Sequence, residues 1–298
     1  MLETVRGVDT RPEKAAVAPT TRAETAAGRA VHSRNGTDKR WLWQRELAWD
    51  SPDFAHASAL VRRKVEEGYT ATIAEASLRR ESRRALLAVL RTPVVIVHLR
   101  ADEADRLRDF VPPAGRRIFS GRRAQFAQFV LEMPATETEY LAGKSRQALR
   151  TNLRHASRAG IKCERVSSYD EWLPSAEAIL SKREPATGRS LLDVIGPPDP
   201  RHRMAYYVAK DAYEHPVAFA GTAMFGDLSY LFTLLTAPDH AGAGPSLWSL
   251  NAFIALDHTN RGIRYLTTGS ALRDTTRGTQ HLAHLLGYRV RNLRFARR

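Results

Sequence analysis

Between residues 54 and 91 apolar side chains recur at mixed spacings of three and four: Leu60, Val61, Val65, Ile73, Ala74, Leu78, Leu86, Leu87 and Leu90. That period predicts helix with one face turned to a core. The pattern then changes. Residues 94–98, Val-Val-Ile-Val-His, are apolar and β-branched and predict a buried strand. A second strand is expected at 126–133, ended by Pro134. Thr136 or Thr138 can cap a long helix running to about residue 159, with Gly160 as its terminator. A strand at 161–166, a helix at 169–182 and a Pro/Gly-rich loop through Pro200 follow. The rest alternates cleanly: strands at 204–210, 216–224 and 228–235, a helix from Pro245 to about Asn260, a strand at 264–268, a helix at 276–286 and a last strand at 289–295. No internal repeat is visible. This order predicts an α/β (α+β) fold with a mixed, mostly antiparallel twisted sheet flanked by helices and a helical N-terminal extension.

Residues 1–40 carry Ala, Thr, Arg, Glu and Gly without a hydrophobic period, so they cannot repay the entropy of ordering and are expected to form a disordered tail. Trp41, Leu42 and Trp43 mark where burial begins. Residues 41–124 are expected to be mostly helical with a partial α/β portion, and 125–298 to form the main domain.

Composition narrows the function classes. No run approaches the roughly 18 apolar residues of a membrane-spanning helix, and the opening residues lack a secretory apolar core. One cysteine, Cys163, excludes an internal disulfide and a cysteine-rich zinc site, which suits a reducing, cytoplasmic setting. The charge changes the picture more. Lys plus Arg is 46 against 32 acids, a net charge of +14 with a pI near 10.4. A nucleic acid, an anionic membrane surface, or the arginine bias of a GC-rich genome would each account for such a surplus.

Two segments could carry chemistry. Asp239-His240-Ala241-Gly242-Ala243-Gly244-Pro245 lies between a strand and a helix. Glycines let backbone approach a ligand, Pro245 suits a first helical turn, and free N–H groups there attract phosphate; a tight turn feeding a packed helix would look the same. In the other segment, Arg146, Arg150, Arg154 and Arg158 repeat every four residues, and from Lys144 to Lys162 six basic residues occur with no acid. Like charges at that spacing repel by roughly 0.2–0.5 kcal/mol per pair, a cost that a polyanion would remove while releasing counterions. Plain solvation of the stripe is the competing reading. His281 and His284 form an i, i+3 pair without a convincing third ligand, so no metal is expected. No Walker loop, Gly-x-Ser-x-Gly elbow or His-Glu-x-x-His occurs.

The segment from Glu139-Tyr140-Leu141 to Arg158-Ala159-Gly160 resembles the "Tyr-Leu … Ser-Arg … Leu-Arg … Arg-x-Gly" stretch of FemAB-like proteins, which belong with the Gcn5-related N-acetyltransferases (GNAT). The order from Met204 to the C-terminus also resembles the GNAT core. The resemblance covers about residues 125–298 and implies a GNAT-like acyltransferase domain. In that family acetyl-CoA binds a turn of the form Arg/Gln-x-x-Gly-x-Gly/Ala. Here Asp239 and His240 stand where a basic or amide residue is usual, and Pro245 removes an N–H. FemAB-like relatives instead take an aminoacyl group from charged tRNA. The resemblance therefore implies an aminoacyl-tRNA-dependent aminoacyltransferase without a further cofactor, acting on an amine of a small peptide, natural product such as an antibiotic precursor, or cell-wall precursor. An acetyl-CoA-dependent N-acyltransferase and a non-catalytic nucleic-acid binder are the alternatives. The implied catalytic residues are Thr222, Tyr230, Asp239 and His240; the tRNA-binding residues are Lys144, Arg146, Arg150, Arg154 and Arg158; and Gly242, Gly244 and Ser246 line the acyl-donor pocket.

Overall fold

The computed structural model describes residues 46–67, 79–110, 120–121, 124–183, 201–272 and 277–297. The expected tail at 1–40, the Trp41–Trp43 onset of burial and the loop at 184–200 lie outside the described residues. Everything described belongs to the compact unit Arg40–Arg298.

Two helices, α1 (Pro52–Glu67) and α2 (Arg80–Arg91), precede β1 (Val94–Leu99). Helix α3 (Ala101–Phe110) and the short strand β2 (Ser120–Gly121) lead to β3 (Ala124–Glu132). Next come α4 (Glu137–Leu141), a 3-10 turn at Lys144–Arg146, α5 (Gln147–Arg158), β4 (Lys162–Val166) and α6 (Tyr169–Leu180). The final series is β5 (Arg203–Lys210), β6 (Pro216–Phe225), β7 (Leu228–Thr236), α7 (Ala243–Asn260), β8 (Tyr265–Ser270), α8 (Arg277–Leu286) and β9 (Arg289–Arg297).

All the strands form one sheet in the order β1-β9-β3-β8-β7-β6-β5-β4, with β2 hairpinned onto β3. Pairing is antiparallel except for β1 with β9 and β7 with β8. The fold is thus the mixed, mostly antiparallel sheet with flanking helices that the pattern predicts. Because β1 pairs with β9, the segment before residue 124 shares its sheet with the region that follows. The sheet also curls: the His98 N–H on edge strand β1 donates to Asp227 Oδ1 (2.9 Å) in the β6–β7 turn.

Burial follows from the layers. On one face, Phe54, Ala85, Val89, Tyr140, Leu149, Ala156, Leu250 and Ile254 pack from α1, α2, α4, α5 and α7 against the sheet. On the other, α3 brings Leu107 to Val97, Phe225 and Leu228, and α6 brings Trp172 and Ile179 to Val208 and Phe219. Strand β6 is covered on both sides, so every residue from Val217 to Phe225 is buried. A doubly covered strand must read as a continuous apolar run.

One expected element breaks. The helix drawn from Thr136 to residue 159 stops at Leu141 and restarts at Gln147. Thr136 Oγ1 does accept the Glu139 N–H (3.1 Å), as an N-cap should. Gly143 then takes φ +84, which ends the helix because L residues with side chains rarely adopt it. Leu141 and Leu149 keep a helical spacing across the gap, which hides it from the periodicity.

Candidate functional site

The parallel pair β7/β8 is the place where the sheet opens. Its pairing runs through Leu228↔Tyr265, Ser229↔Leu266 and Tyr230↔Thr267, and no β8 partner follows for Leu231 to Thr236. On the other edge of β7, Leu231 pairs with Thr222 and Thr233 with Gly221, so Phe232 is an extra residue, a β-bulge one step beyond the fork. Gly221 makes room for it: a Cβ there would overlap the Phe232 ring. Tyr230 stands at the fork itself, its hydroxyl 2.7 Å from where a Cβ on Gly269 of β8 would lie. Thr233 Oγ1 is buried and has no hydrogen-bond partner, a state that costs roughly 1–3 kcal/mol unless something else completes it. A strand edge that its neighbour leaves, with a buried unpartnered hydroxyl nearby, is suited to hold an extended polar ligand; at its far end the Thr236 carbonyl accepts from Arg183 Nη2 (2.7 Å).

At the open end, β7 runs into the turn before α7. His240 ties this turn down: Nδ1 accepts the Gly242 N–H (2.9 Å), so the ring proton sits on Nε2, which faces Asp211 Oδ2 at 3.2 Å. Both ring nitrogens are thereby engaged within the protein, and His240 positions the turn. Ala243 N–H donates to His240 O and Ser246 N–H to Gly242 O (both 2.9 Å), while Pro245 has no N–H. Among the described residues, Gly244 alone in this first turn keeps an amide without a partner. Its Cβ position is open space, whereas a Cβ on Gly242 would meet Ile161 Cδ1 at 3.0 Å. Ser246 is buried, its Oγ donating to Ala243 O (2.9 Å), so it serves the helix. Asp239 is exposed beside the turn. Thr222 is fully buried on β6, its Oγ1 3.5 Å from Ala205 O.

The contact between Ile161 and Gly242 brings the C-terminal end of α5 to the same place, and Gly160 lies against Ala212 in the turn that holds Asp211. Arg154 and Arg158 are exposed there, without a carboxylate partner among the described residues. The neighbouring Lys162 and Lys210 are balanced by Glu214 and Glu164. The other end of α5 is different. Arg146 is half-buried over the Tyr140 ring (5.3 Å), so close to Gly287 that a Cβ there would overlap its guanidinium. Burial, with the Arg289 charge, lowers its pKa. Arg150 donates to the carbonyls of Leu141 (2.5 Å) and Gly143 (2.8 Å), closing the helix break. Arg150 and exposed Lys144 border an open hollow of about 690 Å³ with Leu141 and Gln147. The expected four-arginine stripe is therefore split: Arg146 and Arg150 bind the protein's own backbone, and Arg154 and Arg158 remain available.

A polar chain that the residue pattern did not reveal lies under α7. Ser229 Oγ meets His258 Nε2 (2.9 Å), His258 Nδ1 faces the Tyr207 hydroxyl (3.4 Å), and Tyr207 donates to Asp257 Oδ2 (2.8 Å). Burial first, then the Arg165 charge, pushes His258 down to about 4. Ser229 and His258 are fully buried, so this relay-like order holds the end of α7 to the paired half of β7. His258 follows Leu250 and Ile254 at four-residue steps, the sequence signal that could have marked it. His281 and His284 pack on the Trp49 ring (5.3 and 6.0 Å). No group of three or more metal-ligating side chains occurs among the described residues.

No family model and no curated protein matches this chain. Solved structures do. The C-terminal (DUF2156) domain of a lysylphosphatidylglycerol synthetase candidate from Agrobacterium fabrum is 14% identical, covers 56% of this chain and 58% of its own, and gives a TM-score of 0.41. FemX is 10% identical over 55% of this chain and 59% of its own, TM-score 0.42. A tandem GNAT protein from the clavulanic acid biosynthesis pathway is 12% identical over 57% and 50%, TM-score 0.36. The chain thus spans half to six-tenths of each, and similarity at this level carries no activity across.

Proposed function

We propose that this chain is an acyltransferase that moves an aminoacyl group from charged tRNA to an amine, with the parted half of β7 as the acyl seat. The observation that carries this reading is the fork after Tyr230, with the Phe232 bulge and the unpartnered Thr233 hydroxyl next along the strand, and with Arg154 and Arg158, which have no carboxylate partner among the described residues, towards its open end. The arginines would meet phosphates, while the edge of β7 that β8 leaves after Tyr230 would receive the acyl group.

In the reaction the acceptor amine attacks the ester carbonyl carbon. A C–N bond forms, the C–O bond to the tRNA ribose breaks, the amine loses a proton and the ribose oxygen regains one. The ester is already activated, so positioning and oxyanion stabilisation supply most of the rate. In this reading Tyr230, at the fork, donates a hydrogen bond to the developing oxyanion or leaving oxygen. Asp239, exposed beside the turn, is the proton acceptor in this reading. Thr222 is sealed and His240 engaged, so neither is given a chemical step.

Acetyl-CoA fits less well, because the α7 start leaves only the Gly244 amide for a pyrophosphate that uses several donors. The test is single-turnover transfer from a panel of radiolabelled aminoacyl-tRNAs to small peptide amines, with acetyl-CoA run in parallel. Amide formation from tRNA that is lost in Tyr230→Phe combined with Thr233→Val supports the proposal. Saturable acetyl-CoA binding with acetyl transfer replaces it with the second donor. Tight tRNA binding with no transfer to any amine would leave a non-catalytic binder.

A further inference from the structure

We propose that the outward face of α2 docks on an anionic phospholipid bilayer. In this helix, positions 80, 83, 84, 87, 90 and 91 share one face by the helical repeat. They hold Arg80, Arg83, Arg84, Leu87, Leu90 and Arg91, all exposed, while Ser82, Ala85 and Val89 are buried on the opposite side. The face therefore carries two leucines and four arginines, with no acid on it. Leu87 and Leu90 are 48% and 49% exposed. Another exposed large hydrophobic, Ile96, follows on β1, the strand into which α2 leads. Arg84 pairs with Asp53 (2.9 Å); Arg80, Arg83 and Arg91 have no carboxylate partner among the described residues.

The mixture selects the partner. A nucleic acid backbone would use the guanidiniums and gain nothing from the leucines. A solvated helix has no reason to place two half-exposed leucines a turn apart on its charged face. An anionic bilayer takes both: Leu87 and Leu90 enter the acyl boundary while the arginines meet headgroup phosphates. No helix of the described residues is long and apolar enough to cross a membrane, so the contact is peripheral.

The experiment is co-sedimentation of the full chain with phosphatidylcholine vesicles, with and without phosphatidylserine, across a salt series. Binding is expected only with phosphatidylserine, and should weaken as salt rises. Leu87→Gln with Leu90→Gln should lower partitioning about tenfold or more, and Arg80→Gln with Arg83→Gln should do likewise. Both pairs lie on the surface, and unchanged circular dichroism checks the fold. Failure to bind phosphatidylserine vesicles overturns the proposal, as does wild-type vesicle binding by either pair. If the leucine pair instead abolishes concentration-dependent self-association, or only tRNA binding falls in the arginine pair, the face belongs to a second copy or to RNA and the proposal is wrong.

Discussion

The two halves of β7 are built from similar residues and do opposite work. Leu228, Ser229 and Tyr230 are paired on both edges, and Ser229 is locked to His258 beneath α7. From Leu231 onward β8 no longer pairs with it, Phe232 bulges, and Thr233 keeps a buried hydroxyl unmatched. The difference teaches that one strand can be frame and ligand seat in succession: stability is concentrated in the first half so that the second can stay incomplete. Helix α5 repeats this division, with Arg146 and Arg150 bound to backbone carbonyls or packed on Tyr140, and Arg154 and Arg158 left open.

The strongest way to break the comparison is to fill the space under the bulge. Gly221→Val would expel the Phe232 ring and overpack a sheet covered on both faces. A loss of about 3 kcal/mol is expected in urea unfolding, together with loss of transfer. If stability stays at the wild-type level, the bulge is not held by Gly221.

The paired half should show itself in acid. Burial and the Arg165 charge hold His258 at about 4, whereas an unfolded histidine titrates near 6.5. Between these values the unfolded chain binds a proton that the folded chain refuses. The contribution is complete above about pH 6.5 and drains as pH falls towards 4, by about 3 kcal/mol in total. Comparing urea midpoints of wild type and His258→Gln across that window checks it; equal pH slopes would contradict the buried neutral ring.

Smaller effects separate the two ends of α5. Arg154→Gln with Arg158→Gln should weaken tRNA binding about tenfold and flatten the log–log salt slope by about 2, without altering stability. Arg150→Gln should cost about 1 kcal/mol of stability by freeing two carbonyls, with less effect on the slope. The smallest change is Gly244→Ala, whose Cβ enters open space in a helical turn; thermal unfolding should show a gain of about 0.5–1 kcal/mol.

Much of the frame was legible in the residues. The β-branched run at 94–98, the alternation from 204 to 235 and the Pro, Thr and Gly boundaries are local signals, and local signals specify strands and helix ends. The fork was not legible, because it depends on where β8 leaves β7. The bulge was not either, since Phe232 and Gly221 are matched only across a hairpin. The arginine stripe showed its period but not its use: Arg150 is claimed by the carbonyls of Leu141 and Gly143, inside the helix break that the periodicity hides, and Arg146 by the Leu285 carbonyl, distant in sequence. His240 looked like an acceptor in isolation and proved to be held by Gly242 on one nitrogen and Asp211 on the other.

Amide hydrogen exchange along Leu231–Thr236, recorded with aminoacyl-tRNA, uncharged tRNA and acetyl-CoA, bears most directly on the claim that this stretch of β7 is the acyl seat. Protection that appears with the charged tRNA and stays weak with the other two is the predicted result. Equal protection by charged and uncharged tRNA, or protection by acetyl-CoA alone, would contradict it.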